Sequence, residues 1–258
     1  MRYAILSDVH SNLAALRTVI ATLTELRPQR WIVAGDLVGY GAYPNECVEV
    51  VEELGAICVA GNHDLIALGR LSDERISAPA RASLEWTAAR LSSSSRRFLA
   101  ALPTIAVVDD VVVVTHGSLD DVSEYVTRPW QARVQLERLR RSHPAARVLV
   151  VGHTHRPWAW SASRGGARST RRPRDLPERE PLLLNPGAVG QSRELIARAR
   201  GAVLDLDAGR ATFVAARYDL GAYRRVLRSV GLPPEGCHYV PSAPRVAARG
   251  IRRAVAGY

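Results

Sequence analysis

The chain opens on a short apolar run, Tyr3-Ala4-Ile5-Leu6, that ends in polar residues, and this unit recurs along its length. Between such runs, apolar positions fall three and four residues apart. The alternation predicts strands interleaved with helices, an α/β fold rather than a helical bundle or an all-β sandwich. Asn12 stands where it can cap a helix over Leu13–Leu26, and Trp31-Ile32-Val33-Ala34 is the next strand. Pro44–Glu53 reads as a second helix and Ile57–Ala60 as a third strand. Residues 65–102 read as helical, with Trp86, Leu91, Phe98 and Leu99 inward and the Ser92–Ser95 run as a break between two helices. Ile105–Val108 and Val111–Thr115 flank Asp109-Asp110 as a hairpin. A helix over Trp130–Arg141 and a buried strand at Val148–Val151 follow. The last third predicts strands near Trp158–Ser161, Leu182–Leu184, Ala202–Leu206 and Thr212–Ala216, a turn at Asp207-Ala208-Gly209 and a helix over Gly221–Val230.

A length of 258 residues with 47% apolar and 23% charged residues suits one large globular domain, expected over 1–240, with a basic, loosely held tail at 241–258. All 35 basic Lys+Arg positions are Arg. Without lysine, Schiff-base chemistry and the lysine-dependent phosphate loop are excluded. The apolar runs are far shorter than the ~20 residues that cross a bilayer, and no apolar secretion core follows Met1-Arg2, so a soluble, cytoplasmic protein without membrane partners is expected. Three scattered cysteines, Cys47, Cys58 and Cys237, fit neither a disulfide framework nor a CxxC site. The net charge of +10 belongs to the C-terminal part, where residues 151–258 carry 19 Arg against 8 acids. Six of those arginines fall between Arg164 and Arg179 among Gly, Ser and Pro, which predicts a flexible loop insertion at 163–180. Such a loop attracts polyanions such as nucleic acid, but it lacks the interleaved aromatics that stack bases, so a plain surface insertion is the preferred reading.

The chemistry concentrates in five loops that each follow an apolar run: Ser7-Asp8-Val9-His10, Gly35-Asp36-Leu37-Val38-Gly39, Gly61-Asn62-His63-Asp64, Thr115-His116-Gly117 and Gly152-His153-Thr154-His155. They hold five of the seven histidines. In open α/β sheets ligands gather beyond the carboxyl ends of strands, so one sheet edge would collect all five loops. Carboxylate, amide oxygen and imidazole without thiolate suit Mn, Fe, Zn or Ni rather than an iron–sulfur cluster. The other two histidines, His143 at a helix end and His238 in a Gly/Pro-rich loop, read as structural or surface groups.

The ordered pattern DxH, GDxxG, GNH[DE], H and GHxH over residues 8–155 resembles the calcineurin-like metallophosphoesterase superfamily. Gly39-Tyr40-Gly41-Ala42-Tyr43-Pro44-Asn45-Glu46-Cys47-Val48 and Asn185-Pro186-Gly187-Ala188-Val189-Gly190 resemble its small prokaryotic branch, and the likeness extends over roughly residues 1–232. The resemblance implies a four-layer αββα sandwich of two mixed sheets with the metal site at strand C-terminal ends. It also implies a site for two divalent or mixed iron-containing ions in which Asp8, His10 and His155 hold one, Asn62, His116 and His153 hold the other, and Asp36 bridges them. Two cations about 3.5–4 Å apart would activate a hydroxide for in-line attack on a phosphomonoester or phosphodiester. His63 is expected, by the same resemblance, to protonate the leaving group, with Asp64 orienting it; the alternative is a histidine that only hydrogen-bonds phosphate.

One departure bears on substrate. Protein Ser/Thr phosphatases and bacterial diadenosine tetraphosphatases carry a phosphate-clamping Arg shortly after the GD motif, where this chain has Gly39-Tyr40-Gly41. Arg193 is the candidate substitute. Asn12 either contacts phosphate or caps the first helix, and Tyr40 and Tyr43 either stack on substrate or pack the loop. The expected partner is thus a small phosphoester. A nuclease using the basic C-terminal part and a catalytically inactive binding scaffold are the alternatives.

Overall fold

The computed structural model describes residues 1–74, 76–168 and 174–240. In chain order it forms β1 (Arg2–Leu6), α1 (Leu13–Thr24), β2 (Arg30–Val33), α2 (Pro44–Glu53), β3 (Ile57–Cys58), α3 (Asn62–Ala67), α4 (Ala78–Ala88), α5 (Ser93–Ala101), β4 (Ile105–Val108) and β5 (Val112–Thr115). There follow α6 (Pro129–Ser142), β6 (Val148–Val150), β7 (Trp158–Ser161), β8 (Gly165–Arg168), β9 (Arg174–Asp175), β10 (Leu182–Asn185), β11 (Ala199–Asp205), β12 (Arg210–Ala216) and α7 (Leu220–Ser229). The strands make two mixed six-stranded sheets, ordered β3-β2-β1-β11-β12-β9 and β4-β5-β6-β10-β7-β8. The expected α/β class of two mixed sheets flanked by helices is what the chain forms.

The period-2 alternation of side chains builds the layers. Tyr3 and Ile5 of β1 face between the sheets with Val112, Val114, Val148, Val150, Leu182 and Leu184. Their neighbours Ala4 and Leu6 point the other way, onto Leu16, Val19 and Leu23 of α1 and Val48 and Val51 of α2. In the second sheet Val113, Leu149 and Leu183 turn outward onto Leu136 and Leu139 of α6. Strands buried on both faces read as continuous apolar runs, which is why β5, β6 and β10 show no polar alternation.

Several local details depart from the sequence expectations. The serines at 93–95 lie inside α5, because the Ser92 hydroxyl accepts from the Ser95 amide and starts the helix there. Trp86 and Phe98 are half-buried, whereas Leu99 is fully buried. The Asp109-Asp110 hairpin holds, with φ of 50° and 58° at its two turn residues. The segment 163–180, expected as a flexible loop, contributes β8, paired with β7, and β9, paired with β12; residues 169–173 and the tail 241–258 lie outside the described residues. Backbone pairing to existing strands needs no apolar side chain, so an Arg- and Gly-rich stretch extends a sheet edge without a hydrophobic signal.

Candidate metal centre

Each of the five polar loops leaves the end of a buried strand or short apolar run, and the two sheets bring their ends to one place. The loop after β1 is fixed by the amides of Asp8, His10 and Ser11, which donate to the carbonyls of Gly35, Asp36 and Leu37. The third loop starts α3, and the His63 amide donates to Asp36 Oδ1 at 2.8 Å. Gly61 permits this contact. A Cβ there would lie 2.1 Å from Asp36 Oδ1 and 2.3 Å from the Asp36 nitrogen. At Gly152 a Cβ would meet Ser7 Oγ at 2.0 Å, so the glycines of these motifs hold the loops in contact with each other.

Backbone conformation separates these loops from ordinary turns. Among the described residues ten non-glycine positions have positive φ, and Asp8, His10, Asp36, His153 and His155 are five of them. Non-glycine residues rarely adopt this left-handed form, which costs roughly 1–3 kcal/mol each. Its concentration at candidate ligands marks a site where side-chain aim overrides local backbone preference.

Four histidine rings are oriented by carbonyls. Nδ1–H of His10 donates to Val38 O at 3.1 Å, that of His116 to Ala34 O at 2.7 Å, and that of His155 to Gln191 O at 2.7 Å, while Nε2–H of His153 donates to Ser123 O at 3.0 Å. Each bond fixes which nitrogen faces the carbonyl and turns the other inward, as a lone pair in the neutral rings of His10, His153 and His155. These inward-facing nitrogens meet carboxylate oxygens, and with no cation present only a proton can separate them. His10 Nε2 and His155 Nε2 are 3.2 Å apart, and Asp8 Oδ1 lies 3.2 Å from the latter and 3.9 Å from the former. Asp36 Oδ2 approaches His116 Nε2 to 3.1 Å without hydrogen-bond alignment and His10 Nε2 to 3.7 Å. Asp8 Oδ1, Asp36 Oδ2, Asn62 Oδ1, His63 Nδ1 and His116 Nε2 are buried without a partner.

Buried acceptors crowded together without donors are unstable unless cations neutralise them. The side chains form two clusters whose atoms lie within 4.8 Å of one another, Asp8-His10-His155 and Asp36-His116-His153, and a third, His10-Asp36-His63, links them. The donor set therefore fits metal ions.

The electrostatics follow from burial. Burial holds His10, His153 and His155 well below the usual imidazole range and brings His63 to about 4. At His116 burial opposes charge, yet Asp36 and Asp8 overcome it and push the pKa up to about 10. Burial drives Asp8 up to about 7, whereas at Asp36 the surrounding imidazoles outweigh burial and keep the carboxylate ionised.

Around this cluster the structure sorts the remaining candidates. Asn12 is committed to structure: Oδ1 accepts from the Ala15 amide, capping α1, and Nδ2 donates to Gly190 O and Tyr218 Oη. Asp64 does not turn to His63. Its two oxygens accept from the amides of Val38 and Gly61 at 3.1 and 2.9 Å, tying the second loop to the third. The Tyr40 ring packs against His10 and His63, with centroids 4.7 and 4.8 Å away. Tyr43 packs instead against Tyr223, away from the cluster. Arg193 Nη1 reaches the hydroxyl of Tyr125, whose ring stacks on His153, so the guanidinium lies one side chain away from the cluster. His143 closes the C-terminus of α6, and His238 donates to Glu194 O.

One residue at the site was not found by sequence reasoning. Tyr125 stacks on His153 at 4.0 Å with the planes 29° apart, and its hydroxyl accepts from Arg193 Nη1 at 3.4 Å. No motif or periodicity sets it apart from other loop aromatics.

Two mixed sheets whose strand ends gather Asp, Asn and His ligand atoms define an α/β protein with a candidate metal centre at one edge of the sandwich. A family model described as the calcineurin-like phosphoesterase superfamily domain matches residues 1–209, and the chain belongs to that superfamily. The crystal structure of a metallophosphoesterase from Sphaerobacter thermophilus is 33% identical, covering 96% of this chain and 99% of its own, with a TM-score of 0.78. A hypothetical protein of Pyrococcus horikoshii shares the fold at 18% identity and a TM-score of 0.74, covering 92% of this chain and 96% of its own. An uncharacterised protein of Methanocaldococcus jannaschii is 29% identical over 232 residues, 88% of this chain and 92% of that protein.

Proposed function

We propose that the protein hydrolyses a small phosphomonoester or phosphodiester at a centre for two metal ions, with Asp8, His10 and His155 holding one, Asn62, His116 and His153 the other, and Asp36 shared between them. The observation that carries this reading is the convergence of buried carboxylate, amide and imidazole ligand atoms from five loops. Divalent ions held by these residues would supply Lewis acidity and a water acidic enough to serve as nucleophile at neutral pH. The protein's own groups do the rest. The carbonyl bonds to four imidazoles hold the ligands in place before substrate arrives.

His63 is the general acid. Its backbone is tied to Asp36, its Nδ1 has no partner, and its ring packs against both His10 and Tyr40. Burial favours its neutral form, so to act as an acid the ring must take a proton from solvent as the anionic phosphate binds and offsets the burial penalty, and it gives that proton to the leaving oxygen as the P–O bond breaks. Arg193 is the group that binds the phosphate oxygens, substituting for the arginine that this chain lacks after its GD motif. Asn62 precedes His63 in the third loop with a buried, unpartnered Oδ1, and the Tyr40 ring packs against His63, the proposed acid.

The test is hydrolysis of p-nitrophenyl phosphate and bis-p-nitrophenyl phosphate with manganese, nickel, zinc or iron added after chelation. Metal-stimulated turnover that disappears in Asp36→Asn and His153→Ala is the expected result. Turnover that survives exhaustive chelation, or that those two variants retain, excludes the proposal.

A further inference from the structure

Resting on that reading of the site, we propose that Tyr125 is a positioning residue that holds a metal ligand and the phosphate-binding arginine in register with each other. The loop between β5 and α6 reaches His153 at two points. Ser123 O accepts from the Nε2–H edge of the imidazole, and the Tyr125 ring covers its face. The same tyrosine then reaches Arg193 on a different segment, with the guanidinium carbon 5.9 Å from its ring centroid and Nη1 3.4 Å from its hydroxyl. One side chain therefore touches a group proposed to bind metal and a group proposed to bind phosphate.

Both supports of this bridge are themselves anchored. The Tyr125 carbonyl accepts from Gln131 Nε2 at 2.9 Å, and the Leu119 amide donates to Gln135 Oε1 at 2.9 Å, so α6 grips the loop from one side. The Arg193 segment is pinned at its start by the Gly190 amide on Asp8 O. Beyond Arg193, Glu194 accepts two hydrogen bonds from Arg200, at 2.6 and 2.8 Å, and its carbonyl accepts from His238. A flexible arginine gives up rotamer freedom when it binds an anion. Between two anchored segments, the tyrosine removes much of that freedom before substrate binds, which favours phosphate capture over chemistry itself.

Ring and hydroxyl have separable jobs, and two substitutions separate them. Tyr125→Phe keeps the ring on His153 and removes the hydroxyl's bond to Arg193. Tyr125→Leu removes both. Calorimetric titration with manganese alone, then titration of the manganese-loaded protein with inorganic phosphate, reads each job without turnover. The expected pattern is manganese affinity within about twofold of the parent in Tyr125→Phe, and phosphate binding about 3- to 10-fold weaker. Tyr125→Leu is expected to lose about 10- to 100-fold in affinity at one manganese site. Arg193→Gln weakens phosphate binding, and adding Tyr125→Phe to it brings little further loss, because the two act as one unit. In turnover, Tyr125→Phe raises KM while kcat stays nearly constant. Phosphate binding unchanged in Tyr125→Phe, or fully additive losses in the double variant, overturns the assignment. Failure of the parent protein to bind manganese at all strikes the two-metal reading instead.

Discussion

Gly61→Ala isolates the contact between the second and third loops. Gly61 has φ of −94° and ψ of 175°, which alanine adopts without strain, so the effect of the new methyl is steric alone. That methyl would sit 2.1 Å from Asp36 Oδ1, against about 3.4 Å for ordinary contact, and Asp36 must retreat by more than an ångström. The carboxylate cannot do so and keep both the 2.8 Å bond from the His63 amide and the 3.1 Å approach of its other oxygen to His116. Overpacking of this kind costs about 1–3 kcal/mol of stability. A displacement of about 1 Å in a catalytic array costs roughly 100-fold in rate. The expected variant is folded, with kcat/KM on bis-p-nitrophenyl phosphate about 100-fold down and manganese affinity weakened. Gly55→Ala is the control: its Cβ meets nothing within 4 Å, its φ is +59°, and it lies far from any candidate ligand, so it loses roughly 1 kcal/mol and no activity. Full activity in Gly61→Ala, or equal losses in the two variants, refutes the role given to that contact.

Other expectations follow from the same geometry. His63→Ala should slow hydrolysis of an alkyl phosphate by about 100-fold and of a nitrophenyl ester far less, because nitrophenolate leaves without a proton; equal losses on both esters would argue against an acid role. Asn12→Ala should lower stability by about 0.5–2 kcal/mol in denaturant titrations and leave KM unchanged, since its amide is spent on the helix cap, Gly190 and Tyr218. A raised KM with stability intact would return Asn12 to the substrate. Leu149→Ala, at a fully buried position of β6 under α6, should cost roughly 3–5 kcal/mol; a loss below about 1 kcal/mol would mean the outer layer repacks freely.

The legible features were those written in local order. Apolar runs closed by Asp, Asn or His announced the strand ends, and the α2 boundaries read from the sequence, Pro44–Glu53, coincide with those formed. What could not be read depends on contacts between distant segments. Asn12 has the same two uses in any sequence, and only the positions of Gly190 and Tyr218 decide between them. Asp64, next to His63 in the chain, turns to amides 26 and 3 residues away. Tyr125 acquires its place solely because His153 and Arg193 arrive on either side of it. Edge strands β8 and β9 pair through backbone groups, which leave no side-chain signature.

The left-handed backbone at Asp8, His10, Asp36, His153 and His155 limits how this protein can be hardened. Replacing each with glycine would relax the chain and simultaneously erase the donor atom, so no substitution there improves both endurance and chemistry. Anyone engineering heat resistance is steered outward, to the helices that cover the two sheets, while the centre stays in a conformation tolerated only for what it holds.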